Sequence, residues 1–177
     1  VTYGDNMIAD LYGGISITDT LEQLLISENG RINKFDTIAD RMMADYVRSI
    51  QVAPGGIVTD IYPAEGNEAG KIDLIHDKYR GETVKYSIAN DALIIHGPFE
   101  LEQGGHVLSI RNPVFLQDEK GTPYFWGMTM VIIKVPDIFQ HSADALTNFG
   151  YQYRLSKTIS PLTDEYTVVD QSMETLT

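Results

Sequence analysis

The sequence predicts an α+β fold in which amino-terminal helices pack on a curved antiparallel β-sheet. Apolar residues recur at helical spacing up to about residue 50, and from residue 57 the period changes to two. Three further segments rich in β-branched and aromatic residues follow one another with short turns between them. This succession predicts an antiparallel meander behind an amino-terminal helical third.

Length and composition bound the class of protein. The chain has 177 residues, of which 43% are hydrophobic and 10% aromatic, which suffices for one substantial core. Its net charge of −12 repels phosphate backbones and anionic lipids, so we expect no nucleic-acid partner. There is no cysteine, which excludes a disulfide framework or a thiolate metal site. With no signal-peptide pattern and no long apolar run, we expect a piece of a longer protein that does not itself enter a membrane.

The amino-terminal third is predicted to be helical. A stripe of apolar residues predicts a helix of about four turns capped by Asn33; its members are Phe35, Ile38, Ala39, Met42, Met43, Tyr46, Val47 and Ile50. Before it, Thr18 or Asp19 begins a shorter predicted helix that ends at Asn29 and Gly30. Residues 7–12 indicate one or two more helical turns.

Strand patterns dominate the rest of the chain. A strand is predicted over 57–62, then short helices around 72–76 and 82–90, and the meander over 93–101, 106–116 and 124–135. A helix over 137–148 and strands over 151–159 and 166–170 complete the prediction. Such an order is expected of a PAS-like sensor domain, whose sheet has one covered face and one that can cup a small ligand.

Arg111 is the first candidate for ligand binding. In the strand over 106–116, Leu108, Ile110 and Val114 form an apolar set, and Arg111 belongs to the alternate set. A guanidinium in mid-strand offers a rigid fork of donors suited to a carboxylate or another planar acceptor. A salt bridge to one of the many acidic residues is an equally weighted structural interpretation.

Aromatic residues are candidates for the walls of a ligand site. Trp126 is predicted to share its side of a strand with Met128 and Met130, so burial in the core is the default and a ligand wall the alternative. Tyr62 and Tyr124 are similar cases. No cofactor and no metal site are expected, because the four histidines are too scattered for a ligand spacing. No nucleophile elbow or phosphate-binding loop is found, and we expect no catalytic residue.

Several short motifs resemble those of the CHASE family of extracytoplasmic sensor domains. In chain order they are QVAPGGIV from Gln51, IYP from Ile61, HGP from His96, LEQGG from Leu101, RNPVF from Arg111 and FWG from Phe125. The match spans about residues 20 to 140. The chain departs from the plant members around their cytokinin pocket, so the resemblance does not imply that ligand.

The resemblance implies a noncatalytic, ligand-binding part of a membrane-anchored receptor that lies outside the cytoplasm. Such a receptor passes its signal to a diguanylate cyclase or a histidine kinase, and we expect a homodimer. The implied ligand-binding residues are Arg111, Trp126, Tyr62, Tyr124 and Gln103. The predicted domains are a helical segment over 1–50, a ligand-binding PAS-like domain over 51–148, and a truncated second PAS-like subdomain over 149–177.

Two other functions fit the same residues. One is a structural or dimerisation module without a small ligand, in which Arg111 pairs with a surface acid. The other is a small hydrolase or lyase in which a carboxylate works beside Arg111 as an electrophilic clamp. An enclosed pocket with Arg111 pointing inward would favour the sensor instead.

Overall fold

The computed structural model describes residues 2–64, 70, 72–101, 104–150, 154–158 and 166–171. The helices are α1 Thr2–Ser27, α2 Phe35–Met42, α3 Gly81–Asn90 and α4 Gln140–Asn148, the last preceded by a 3-10 turn at Asp137–Phe139. The strands are β1 Val47–Pro54, β2 Asp60–Tyr62, β3 Ile94–Glu100, β4 His106–Gln117, β5 Pro123–Val135, β6 Arg154–Thr158 and β7 Tyr166–Gln171.

Five strands form one antiparallel sheet in the order β2-β1-β5-β4-β3. The predicted meander is confirmed as β3, β4 and β5. The other edge of β5 pairs with β1, which comes earlier in the chain. Helix α1 packs across β4 and β5. The predicted α+β class is therefore confirmed, with a PAS-like sheet and amino-terminal helices on one side of it. Strands β6 and β7 pair with each other in a separate two-stranded sheet.

Helix α1 is one continuous helix where two shorter pieces were predicted. It buries Gly14, Ile17, Thr18, Leu21 and Leu25, at steps of three and four, against the sheet. Gly14 does not break the helix because it lets the backbone approach the sheet: a Cβ there would lie 2.7 Å from Ile110 Cδ1. Tertiary packing thus outweighs the weak helix propensity of glycine.

The end of α1 confirms the predicted stop. Asn29 has φ 51° and Gly30 has φ 85°, and the Gly30 amide donates to the Leu25 carbonyl at 2.7 Å. The Asn29 amide donates to the Ile26 carbonyl, which completes the paired hydrogen bonds of a Schellman ending.

The predicted four-turn helix up to Ile50 is wrong beyond Met42. Met43 is extended (φ −62°, ψ 143°), and Val47 already pairs with Ile133 in β1. From residue 49 to 52 polar and apolar residues alternate, and pairing with both β2 and β5 makes use of that alternation. Lys34, with φ 57°, precedes the helix in place of the predicted cap Asn33.

Two smaller predictions change between β1 and α3. The strand predicted over 57–62 is reduced to β2, and Ile57 forms an isolated bridge with Asp73. Residues 74–76 form turns and no helix, because the Asp73 carboxylate accepts hydrogen bonds from the Ile75 and His76 amides, both at 3.1 Å. The predicted helix over 82–90 is confirmed as α3.

The sheet has two faces with different neighbours. The helix-covered face packs against α1 and α2 and consists of Ile50, Val52, Leu108, Ile110, Val114, Val131 and Ile133. The opposite face consists of the alternate residues Ser49, Gln51, Ala53, Ser109, Arg111, Met128, Met130 and Ile132. A second, smaller apolar cluster covers part of the opposite face; it joins Val58, Ile61, Leu74 and Val84 to Ala53, Met128 and Met130.

Candidate functional site

The opposite face of the sheet forms the floor of a cavity of about 570 Å³. Its walls come from the segment before α3 and from the end of β3, through Ile72, Leu74, Asp77, Arg80 and Phe99. The volume lies within the range of small-molecule sites, about 300–1,000 Å³. Apolar and polar groups both line it.

Two rows of side chains cross the sheet beneath this cavity. In the first row the cross-strand partners are Gln51, Met130, Arg111 and Ile94. In the second row they are Ser49, Ile132, Ser109 and His96. Because directly paired residues point to the same side, these eight residues share one face. The Gln51 amide donates to the Ser49 hydroxyl at 3.0 Å, which holds the polar edge of the floor.

Arg111 is the buried cation of the floor. Its side chain is 2% exposed, and Nη1 donates to Thr83 Oγ1 and to His96 Nδ1, both at 3.2 Å. Its Nε is buried and has no hydrogen-bond partner among the described residues. Arg111 takes part in none of the ion pairs found among the described residues. Those pairs are His76–Asp73, Arg80–Asp77 and Lys85–Glu82. The guanidinium is therefore held by neutral acceptors at Nη1, and its buried Nε donor is unused.

Burial lowers the pKa of Arg111 to about 10, and the positive charge of Arg80 acts in the same direction. The Asp77 carboxylate opposes both effects. Even the lowered pKa lies well above 7, so the floor of the cavity carries a full positive charge at neutral pH.

Asp77 lies at the rim, where it organises the turn before α3. Its Oδ1 accepts hydrogen bonds from the Tyr79 and Arg80 amides, both at 2.8 Å, and Oδ2 accepts one from Arg80 Nη1 at 3.2 Å. Burial alone would raise its pKa. The hydrogen bonds from Arg80 and Tyr79 and the charges of Arg80 and Arg111 outweigh burial and lower it. Asp77 is thus an ionised side chain already engaged by Arg80.

Of the four predicted ligand-binding residues that the structure describes, it brings one to this cavity. Arg111 lies in its floor. Tyr62 packs beside the helix-covered core and donates its hydroxyl proton to Asp40 of α2. Tyr124 is exposed near the start of β5 and does not line the cavity. Gln103 lies outside the described residues.

Trp126 lies on the helix-covered side of the sheet and not beside this cavity. Val114 pairs with Gly127 and Phe115 with Phe125, so Trp126 is the extra residue of a β-bulge. The bulge shifts the alternation by one residue, which sends Trp126 to the helix-covered core and Phe125 to the cluster with Met128. The predicted grouping of Trp126 with Met128 and Met130 is therefore corrected.

Sequence reasoning missed Asp77, Arg80 and Phe99 as lining residues. The spacing of Asp77 and Arg80, three apart before a helix, is a common turn arrangement and gives no sign of a cavity. Ser109 could have been predicted, because it belongs to the same alternate set of β4 as Arg111.

A second cavity, of about 630 Å³, lies between α1, residues 44–46 and α4. Four aspartates line it, at Asp10, Asp45, Asp137 and Asp144, together with His141. Within the described residues no group of three histidine or carboxylate side chains is placed to hold a metal ion. No helix among the described residues is long and apolar enough to cross a membrane.

Comparisons with known proteins bear on the fold. No family model matches the sequence, and no curated protein matches it either. A solved structure, an extracellular ligand binding receptor from Desulfohalobium retbaense DSM5692, superposes with a TM-score of 0.64 at 14% identity. The match covers 88% of this chain and 28% of that receptor. The two proteins share a fold. The resemblance to the CHASE family stays a prediction.

Proposed function

We propose that this chain is an extracytoplasmic, noncatalytic sensor domain that binds a small molecule in the cavity over Arg111. One observation carries the proposal: a charged guanidinium is buried in the floor of a ligand-sized cavity without an acidic partner among the described residues. A buried charge without a counter-charge destabilises the folded chain, so such an arrangement points to a ligand. The extracellular ligand binding receptor with the same fold adds support.

The wider setting belongs to the same proposal. We place the domain in a CHASE-like, membrane-anchored receptor that acts as a homodimer and signals to a diguanylate cyclase or a histidine kinase. A ligand with different affinities for two conformations of the domain would shift their populations, and this shift would be the signal. A noncatalytic role is supported by the state of the cavity acids. Asp77 is engaged by Arg80 and by two amides, and Glu100 is exposed.

A thermal-shift screen of the purified chain tests the proposal. The panel contains amino acids, carboxylic acids, purines and adenine derivatives. A ligand at 100 times its dissociation constant stabilises the native state by about 2.7 kcal/mol, so the midpoint should rise with concentration.

A cavity-filling variant locates the response. Ser109 is 4% exposed and lies in the floor, so Ser109→Phe should fill the site and remove the rise. Ser16→Phe, at an exposed position of α1, is the matched control and should keep it. A rise that survives Ser109→Phe would place the ligand elsewhere, and no rise across the panel would count against a sensor.

A further inference from the structure

We infer that the ligand of the Arg111 cavity is a small monocarboxylate with an apolar body. The inference deepens the proposed function and rests on it. The carboxylate would lie beside the Arg111 guanidinium in the floor, and the body of the ligand would lie along the apolar walls of the cavity.

The hydrogen bonds of Arg111 leave its buried Nε donor unused in the described part of the chain. Guanidinium has five N–H donors in a fixed plane, and Nη1 uses its donors on Thr83 and His96. Both acceptors are neutral there, since Nδ1 of His96 accepts the bond. Nε remains without a partner in the described part of the chain. It lies on the edge of the guanidinium that a carboxylate binds side-on.

Among the described residues, the acidic side chains near Arg111 do not supply the missing partner. Asp77 affects the charge of Arg111 at longer range, but both of its oxygens are bound by Arg80 and by backbone amides. Glu100 lines the cavity from β3, where it is exposed to solvent. A carboxylate brought by the ligand would therefore give the buried cation its counter-charge.

The charge in the floor of the cavity favours a monoanion. Arg111 is the buried cation there, whereas Arg80 at the rim is already paired with Asp77. One carboxylate supplies one counter-charge for Arg111. A phosphate dianion would leave an excess negative charge in a partly enclosed site, where desolvation of a second charge is unfavourable.

The rest of the lining selects an apolar body. Seven of the described lining side chains are wholly apolar, with aliphatic, phenyl or thioether groups; they are Ile72, Leu74, Phe99, Leu101, Val107, Met130 and Ile132. Such groups gain free energy by removing apolar ligand surface from water, and the few polar groups fix its orientation. A ligand that is polar throughout would leave this wall unused.

Pairs of acids and their amides test the inference without any mutation. Hexanoate is compared with hexanamide and phenylacetate with phenylacetamide, because each pair has nearly the same shape and differs in charge. We expect each acid to raise the melting midpoint and to bind at least tenfold more tightly than its amide in calorimetry. Inorganic phosphate should give no shift. Amides equal to acids, phosphate equal to acids, or no response to any acid would each overturn the inference.

Arg111→Met then assigns the preference to the guanidinium. Met removes the charge with little change of side-chain volume, so the acids should fall to the affinity of their amides. Arg41→Met, at an exposed position of α2, changes the net charge equally and should leave the preference intact. Arg111→Lys keeps a charge but loses the planar fork, and should retain a reduced preference. An acid preference that Arg111→Met does not reduce would overturn the inference.

The two proposals fail in different ways. If a purine or another neutral compound stabilises the chain and Ser109→Phe removes that effect, while acids and amides behave alike, the sensor stands and the monocarboxylate is wrong. If no compound in either panel binds, both proposals are wrong.

Discussion

The helix-covered face and the opposite face of the same sheet serve different physical purposes. On the first, Ile50, Ile110 and Ile133 are fully buried against a helix, and the contacts are almost wholly apolar. On the second, one residue away along each strand, Gln51, Ser109 and Arg111 border a cavity. The same strands thus provide both an apolar core and the floor of a cavity, because alternate residues point to opposite sides.

The largest expected effect is in the core between α1 and the helix-covered face. Leu21→Ala removes a fully buried side chain of α1 and should lower the free energy of unfolding by about 2–5 kcal/mol. Ile132→Ala, at the cavity floor, should cost clearly less, since that side chain already borders empty space. Urea unfolding followed by circular dichroism measures both. Equal losses would contradict the division between the faces.

Close packing of α1 gives the next effect. Gly14→Val adds a branched side chain where even a Cβ would meet Ile110 Cδ1 at 2.7 Å and Ile133 Cδ1 at 3.1 Å. Overpacking of this kind should cost about 1–3 kcal/mol. Ser16→Val, exposed on the same helix, should change stability little. A stable Gly14→Val protein would mean that the helix can move away from the sheet at little cost.

A polar contact within the helix-covered face provides a smaller test. Asn112 Nδ2 donates to Glu22 Oε2 of α1 at 2.7 Å, and Asn112 is buried. Asn112→Ala leaves this carboxylate without its donor, but Glu22 is only half-buried and water can replace the donor, so the change should cost about 0.5–1.5 kcal/mol. Asn112→Asp retains the shape but places two acids together, and should cost at least as much. Comparable unfolding midpoints for all three proteins would show that the contact contributes nothing.

The smallest effect is expected at the rim of the opposite face. Asp77 has a lowered pKa, so its ionised form stabilises the folded state above the unfolded pKa of about 3.9, and this contribution is lost as the pH falls through the lower folded value. Asp77→Asn should therefore be slightly less stable at pH 7, and the difference should narrow in acid. Glu82→Gln, at an exposed position in the first turn of α3, is the control for the loss of one negative charge. A difference that persists at low pH would contradict the electrostatic cause.

The fold was largely predictable from local patterns, and its largest error has a long-range cause. The meander and α3 follow from short-range alternation and propensity, and the end of α1 follows from Asn29 and Gly30. The helix predicted up to Ile50 failed because residues 47–50 have apolar spacing compatible with both structures. Pairing with β5, far along the chain, decides between them.

The candidate site was less predictable than the fold. Arg111 was found because a charged residue stands out within the apolar, alternating pattern of one strand. Trp126 was assigned to the wrong face because a bulge depends on the register with β4, which single-strand alternation does not contain. Asp77 and Phe99 come to the cavity only through tertiary packing, so no local pattern identifies them.

The strand order has a consequence for how the chain acquires its structure. Strand β1 lies between β2 and β5, and it pairs over more residues with β5 than with β2. Ile50, for example, pairs with Val131, 81 residues later in the chain. During synthesis on a ribosome the amino-terminal helices and β1 emerge long before that partner. Their apolar surfaces stay exposed until the sheet has formed. Such long-range pairing slows folding and exposes the nascent chain to aggregation. Completion of residue 135 is thus the earliest point at which this core can close.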